Sequence, residues 1–263
     1  MRKPPRRPHA GQVFRKHRPG VDPDFFAAEA AGLRWLADAG APVVDVLSVG
    51  TDFIELAHLD SARPGRQAAI DFGRALAAMH SAGADTFGAP PAGYTGKQFI
   101  GERPLSSRTH PTWGAFYAAE RVEPYLGPAI AAGNLNHTDA DDVRRACELI
   151  AAGTFDDAAP PARIHGDLWA GNALWTPDGV TMIDPAAHGG HRETDLAMLA
   201  LFGVRLFDDI LDGYLAEFPL RTGWRDRVPL HQLHPLAVHA AGHGPGYGTA
   251  LGRAARATVA MAA

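Results

Sequence analysis

Hydrophobic and polar positions change period several times along this chain, and the changes divide it in two. Val13-Phe14-Arg15-Lys16 reads as a short strand. Asp22-Pro23-Asp24 has the form of a helix start, with Asp22 as cap and Pro23 in the first turn. Phe26, Ala30, Leu33 and Ala37 follow at helical spacing, and Gly40 ends the run. Pro42 opens a β-rich stretch over residues 43–49. Gly50-Thr51-Asp52 turns the chain, and residues 53–56 return as a second strand. From about residue 66 the period is helical, with Phe72, Leu76 and Met79 on one face and a stop near Gly83.

Residues 84–110 read as loop. Trp113, Phe116 and Tyr117 begin a helix broken at Pro124, and Val143, Ala146, Cys147 and Ile150 mark another. Residues 193–202, 207–217, 229–241 and 247–260 all carry helical patterns. One further stretch alternates: residues 173–176 and 180–183 flank Pro177-Asp178-Gly179 and read as a hairpin. The pattern predicts an α+β, bilobal fold. A small β-rich lobe covers residues 1–57, its first twelve irregular, and a helical lobe with one hairpin covers residues 58–263. The join is expected near Glu55 to His58.

Composition narrows the function classes. The chain has 263 residues, 46% of them hydrophobic, enough for one large core or two modest ones. A net charge of −4 gives no general pull toward nucleic acid or an anionic membrane. The one cysteine, Cys147, permits no internal disulfide and suits a reducing compartment. Apolar runs fall short of the roughly 20 residues that span a bilayer. The basic, Pro-rich start leads into no apolar segment, so it does not read as a secretory signal. The expectation is a cytoplasmic monomer acting on a small molecule, with no nucleic-acid or membrane partner.

The chemistry concentrates around the hairpin. Ile164-His165-Gly166-Asp167-Leu168-Trp169-Ala170-Gly171-Asn172 precedes it, and Asp184 follows it. Folding the hairpin brings Asn172 and Asp184 side by side at its open end. An amide oxygen and a carboxylate there suit a hard cation such as Mg2+. The preceding loop brings Asp167 to the same end, as a third oxygen ligand or a base. Phosphoryl transfer needs this set: groups that hold metal against nucleotide phosphates, and a carboxylate that accepts the acceptor's proton. Asp and Asn in such a loop also cap turns in purely structural settings. In the small lobe, Lys16 on a strand and Glu29 on the next helix match the pair that positions nucleotide phosphates in kinase-like folds, although either alone reads as a solvated charge.

Other patterns compete poorly. His188-x2-His191-x-Glu193 and His239-x3-His243 have ligand-like spacing, but a zinc site needs three or four ligands in a closed set and none assembles locally. No Gly-x-Ser-x-Gly, dinucleotide-binding or Walker A motif occurs.

His165 to Asn172, Ile183-Asp184-Pro185-Ala186 and Gly190-His191-Arg192-Glu193-Thr194-Asp195-Leu196-Ala197-Met198 together resemble the fructosamine kinase family, which belongs with the aminoglycoside phosphotransferases in the protein-kinase-like fold. The similarity runs from about Val13 to about Leu251. It implies ATP-dependent phosphorylation of a sugar hydroxyl on a ketosamine, the adduct of a sugar and an amine. It implies Asp167 as base, Asn172 and Asp184 as Mg2+ holders, and Lys16 with Glu29 as the small-lobe ion pair. It places the adenine-facing linker within residues 53–58, at Glu55, Leu56 and Ala57. Trp169 falls at the family's Trp and either stacks on substrate or packs in the core. His239 matches a family His and is assigned to the acceptor pocket. His165 and Asp195 support the catalytic loop, and His188 and His191 are hydrogen-bonded structural residues.

The chain departs from the family in one place. The family carries a hairpin ahead of the Lys strand, with a Gly- or Ser-containing turn over the ATP phosphates. Here about a dozen residues precede Val13, no Gly-rich loop is visible, and Gly11 comes too late for one. The expectation is a truncated small lobe, with Arg2, Lys3, Arg6 and Arg7 either replacing the flap by charge or forming a solvated tail. An aminoglycoside-type or other small-alcohol kinase and a catalytically silent nucleotide binder are the alternative readings. Asp184 is followed by Pro185 and not by Phe-Gly, and no Ala-Pro-Glu motif is present, which argues against a protein kinase.

Overall fold

Strand β1 (Val13–His17), helix α1 (Phe25–Asp38) and strands β2 (Val46–Val49) and β3 (Phe53–Ala57) build the smaller, β-rich part of the molecule. The structure, a computed structural model, describes residues 12–262. The basic tail, Gly11 and any phosphate-covering turn ahead of β1 lie outside those residues. The sheet is antiparallel in the order β1-β3-β2, and Lys16 sits opposite Ile54. Phe26, Ala30 and Leu33 recur at helical spacing and pack on Val44, Ile54 and Leu56.

A second face of α1, carrying Trp35 and Leu36, enters a different core shared with the larger lobe. Helix α1 therefore belongs to both lobes.

The larger part is mainly helical: α2 (Arg66–Ser81), α3 (Trp113–Phe116), α4 (Leu126–Ala131), α5 (His137–Ala151), α6 (Arg192–Leu201), α7 (Phe207–Glu217), α8 (Val228–Ala240) and α9 (Pro245–Ala260). Short strands punctuate it: β4 (Gln98–Ile100), β5 (Arg103–Leu105), β6 (Ala162–Ile164), β7 (Ala173–Thr176), β8 (Gly179–Met182) and β9 (His188–Gly190). Helices α2 and α7 meet backbone to backbone. A Cβ at Gly73 would overlap the Ile210 carbonyl, and one at Gly213 would overlap that of Ile70. His80 of α2 bonds Tyr214 of α7 (2.9 Å) on one side and Asp195 of α6 (3.1 Å) on the other.

Three expectations are corrected. Helix α1 begins at Phe25 and not at Asp22, because the Asp22 carboxylate accepts the Asp24 N–H (3.1 Å) in a local turn instead of capping the helix. The strand expected over residues 43–49 shortens to β2, because Val43 and Val44 leave the small sheet to bond the far end of β8 at Met182. The large lobe holds further strand pairs besides the predicted hairpin: β4 with β5 inside the stretch read as loop, and β6 with β9 flanking the catalytic loop.

Candidate active site

The β7–β8 ladder runs from Ala173↔Met182 to Thr176↔Gly179, and the Ile183 N–H closes onto the Asn172 carbonyl (3.0 Å). The two open ends of the hairpin are thereby joined, with Asn172 on one side and Asp184 on the other. Asp184 has φ +54°, a left-handed conformation that Asp tolerates better than most residues and that turns the chain sharply after β8. The Asn172 amide nitrogen donates to the carbonyl (2.9 Å) and carboxylate (3.2 Å) of Asp167. Asp167, Asn172 and Asp184 therefore form one cluster.

The loop before the hairpin is held from beneath. Gly166 has φ +79°, and a side chain there would also meet the Ala186 carbonyl. His165 is buried and neutral: Nε2 donates to the Ile183 carbonyl (2.9 Å), while Nδ1 accepts the Asp167 N–H (3.3 Å). Both rings of contact fix one tautomer. Asp195 accepts the N–H groups of His165 (2.8 Å) and Gly166 (3.0 Å) and the His80 Nε2 proton (3.1 Å). His80 is in turn bonded to Tyr214 (2.9 Å). Burial alone would push the Asp195 carboxyl up. The hydrogen bond and charge of His80, with the bond from His165, outweigh it and hold the group ionised below its usual range.

Asp167 has the opposite environment. Burial, and then the negative charge of Asp184, push its carboxyl up to about 7, against the hydrogen bond from Asn172. From the small lobe, Lys16 Nζ meets Glu29 Oε1 (2.8 Å) and also the Asp184 carboxylate. Burial opposes the Lys16 charge, but Glu29 and Asp184 more than compensate and raise its pKa. Burial raises Glu29, with Lys16 working against it.

These groups face one cavity of about 370 Å3, lined by Lys16, Glu29, Asp167, Asn172 and Asp184 with Trp169 at its side. That is room for a small molecule. The oxygen donors available there, an amide and carboxylates at the end of a rigid hairpin, are the chemistry a hard divalent cation takes.

The remaining predicted residues distribute unevenly. Trp169 is 41% exposed and lies against Gly171, edge-on to Phe202 (6.2 Å), so it is a cavity residue and not a core one. His239 donates to Pro235 (2.7 Å) and packs on Phe202 (4.9 Å). It reaches Trp169 only through that ring and does not line the cavity. Glu55, Leu56 and Ala57 lie inside the central strand β3 with neighbours on both sides. Leu56 is buried, Glu55 pairs with Arg15 (2.9 Å), and none of the three lines the cavity.

His188 donates from Nδ1 to Ala186 (2.7 Å) and accepts Arg121 at Nε2 (3.3 Å). His191 and Glu193 meet His231 of α8, their ligand atoms within 4.8 Å of one another, a grouping invisible in local spacing. The Arg227 guanidinium already donates twice to Glu193 (2.6 and 2.9 Å), which compensates its charge without a metal ion. Sequence reasoning also missed Gln98, Phe99 and Glu102, which form a cavity wall. Gln98 and Phe99 lie on a strand only three residues long, with no readable alternation, and Glu102 lies in the turn after it.

A Lys–Glu pair over an Asp-x4-Asn loop and an Asp-terminated hairpin, set between a small β-rich lobe and a large helical one, define a phosphotransferase of the protein-kinase-like fold. Residues 7–260 match the family model described as Fructosamine kinase. A probable ketoamine kinase of Enterococcus faecium is 32% identical over 239 residues, covering 90% of this chain and 83% of that one. A probable ketoamine kinase of Thermus thermophilus is 31% identical over 271 residues, covering 95% and 92%. A solved structure from Thermobifida fusca, assigned as a fructosamine-3-kinase, is 44% identical with a TM-score of 0.87, covering 94% of this chain and 85% of that one. The chain belongs to the fructosamine kinase family.

Proposed function

We propose that the protein is an ATP-dependent kinase that phosphorylates a sugar hydroxyl of a ketosamine. One observation supports this most: Lys16, Glu29, Asp167, Asn172 and Asp184, drawn from both lobes, converge on a single cavity in a chain of this family.

In this reading Asp167 orients the acceptor hydroxyl and takes its proton. Burial and then the charge of Asp184 raise its pKa, which makes the ionised carboxylate a stronger acceptor for that proton. Asn172 and Asp184 hold Mg2+, which when bound neutralises charge on the nucleotide phosphates. Lys16 positions the phosphates and Glu29 positions Lys16. Trp169 offers a flat apolar face to the sugar or its amine substituent. His239 acts through Phe202 on that face. The backbone that meets adenine is assigned to Glu55, Leu56 and Ala57, at the C-terminal end of β3.

The test is ADP release from MgATP with purified protein, comparing fructosyl-glycine, an aminoglycoside and choline as acceptors. Turnover with fructosyl-glycine well above the other two is expected. Preference for the aminoglycoside or choline would reassign the acceptor class, and no ADP release with any of them would leave a nucleotide binder.

A further inference from the structure

Residues 94–105 reach the small lobe as well as the cavity. The Tyr94 hydroxyl donates to the carbonyls of Asp24 (3.3 Å) and Lys97 (3.0 Å). The Lys97 N–H donates to Asp24 Oδ2 (3.0 Å), and Lys97 Nζ donates to Asp22 Oδ2 (2.7 Å). The rings of Phe99 and Phe25 lie 5.2 Å apart, and Arg18 pairs with Glu102 (2.6 Å). Most of these small-lobe partners sit at or beside the start of α1.

Two details show that this contact is built in. Asp24 occupies the cap position of α1, yet its side chain makes no capping bond and serves Lys97 instead. Gly96 stands between the contacting groups: a Cβ there would press on the Tyr94 hydroxyl and come within 2.9 Å of Asp24 Oδ1. Exposed ion pairs such as Lys97 with Asp22 contribute little singly. Here a hydroxyl, a backbone N–H, an ammonium and a ring act on the same turn.

The other side of the same segment is the cavity wall. Phe99, Gly101 and Glu102 face the cavity, and buried Gln98 donates to the Ala187 carbonyl (2.9 Å) just after Asp184. Helix α1 carries Glu29 one turn beyond Phe25, on the same face, and Glu29 holds Lys16. A ligand that presses on the wall therefore acts on the helix that positions Lys16.

We propose that Tyr94, Gly96 and Lys97 form with Asp22 and Asp24 a latch that couples acceptor occupancy to the Lys16–Glu29 pair, and so to nucleotide affinity. Tyr94 and Lys97 are then positioning residues. The inference rests on the kinase reading above. A mere strut would change stability and leave the coupling between the two substrates untouched.

The experiment measures the dissociation constant of Mg2+–AMP-PNP by calorimetry, with and without saturating fructosyl-glycine. The wild type, Lys97→Ala and Gly96→Ala are compared. In the wild type the acceptor tightens the nucleotide at least about 5-fold. In both variants the ratio falls toward one. An unchanged ratio in both variants overturns the latch, as does a ratio of one in a wild type that turns over fructosyl-glycine. A wild type that binds no nucleotide overturns the kinase reading and the latch together.

Discussion

Lys16, the penultimate residue of β1, reaches the carboxylate of Asp184, two residues past the end of β8, while still bonded to Glu29. One ammonium thus joins the two lobes across the cavity. The contact favours the Glu29 charge, while burial works against it more strongly and raises the carboxyl's pKa.

Lys16→Met removes the only cation the described structure brings to this trio. Two carboxylates with like charge are left facing each other in a partly buried site. A loss of about 1–3 kcal/mol in stability at neutral pH is expected, read from urea unfolding. ATP-dependent turnover falls with it by a factor on the order of 100 or more. A variant with unchanged ATP KM and kcat contradicts the role given to Lys16.

Asp195 carries the catalytic loop without touching the cavity. In Asp195→Ala the N–H groups of His165 and Gly166 lose their acceptor and His80 loses its partner, all of them buried. Destabilisation of roughly 3–5 kcal/mol is expected by denaturant titration. A loss under about 1 kcal/mol would show that the loop is held elsewhere.

How much of this was legible depends on how local each feature is. Helix α7 was read to the residue, because its pattern is bounded by its own acidic first turn and an apolar period that closes within it. The β7–β8 hairpin was read from its turn residues, and with it the convergence of Asn172 and Asp184. The start of α1 was misplaced because Asp22 and Asp24 spend their carboxylates on a local turn and on Lys97, residues that no local rule weighs together. The β4–β5 wall was missed for the same reason: its three-residue strands exist through packing on α1. The meeting of His191 and Glu193 with His231 spans α6 and α8 and leaves no spacing signature.

That His191–Glu193–His231 cluster sets a pH dependence. Burial raises the Glu193 carboxyl, but hydrogen bonds from His231 and Arg227 dominate and hold it down at about 2, below its ordinary 4.5. A depressed carboxylate stabilises the fold above its unfolded pKa, and that share is lost as pH falls through the folded one. The wild type should exceed Glu193→Gln by about 2–3 kcal/mol near neutral pH. The gap should narrow below 4.5 and close near 2, followed by urea midpoints across that range. A gap independent of pH would mean that the charge of Glu193 adds nothing.

Turnover of Asp167→Asn with MgATP and fructosyl-glycine tests the central claim most directly. The substitution keeps the shape and removes the base, and it relieves the burial of charge and the repulsion from Asp184 that raise the Asp167 pKa. The expected result is a fall in kcat of about 100- to 10,000-fold with the thermal midpoint unchanged or raised. Near-native turnover in this folded variant would contradict Asp167 as the group that receives the acceptor's proton.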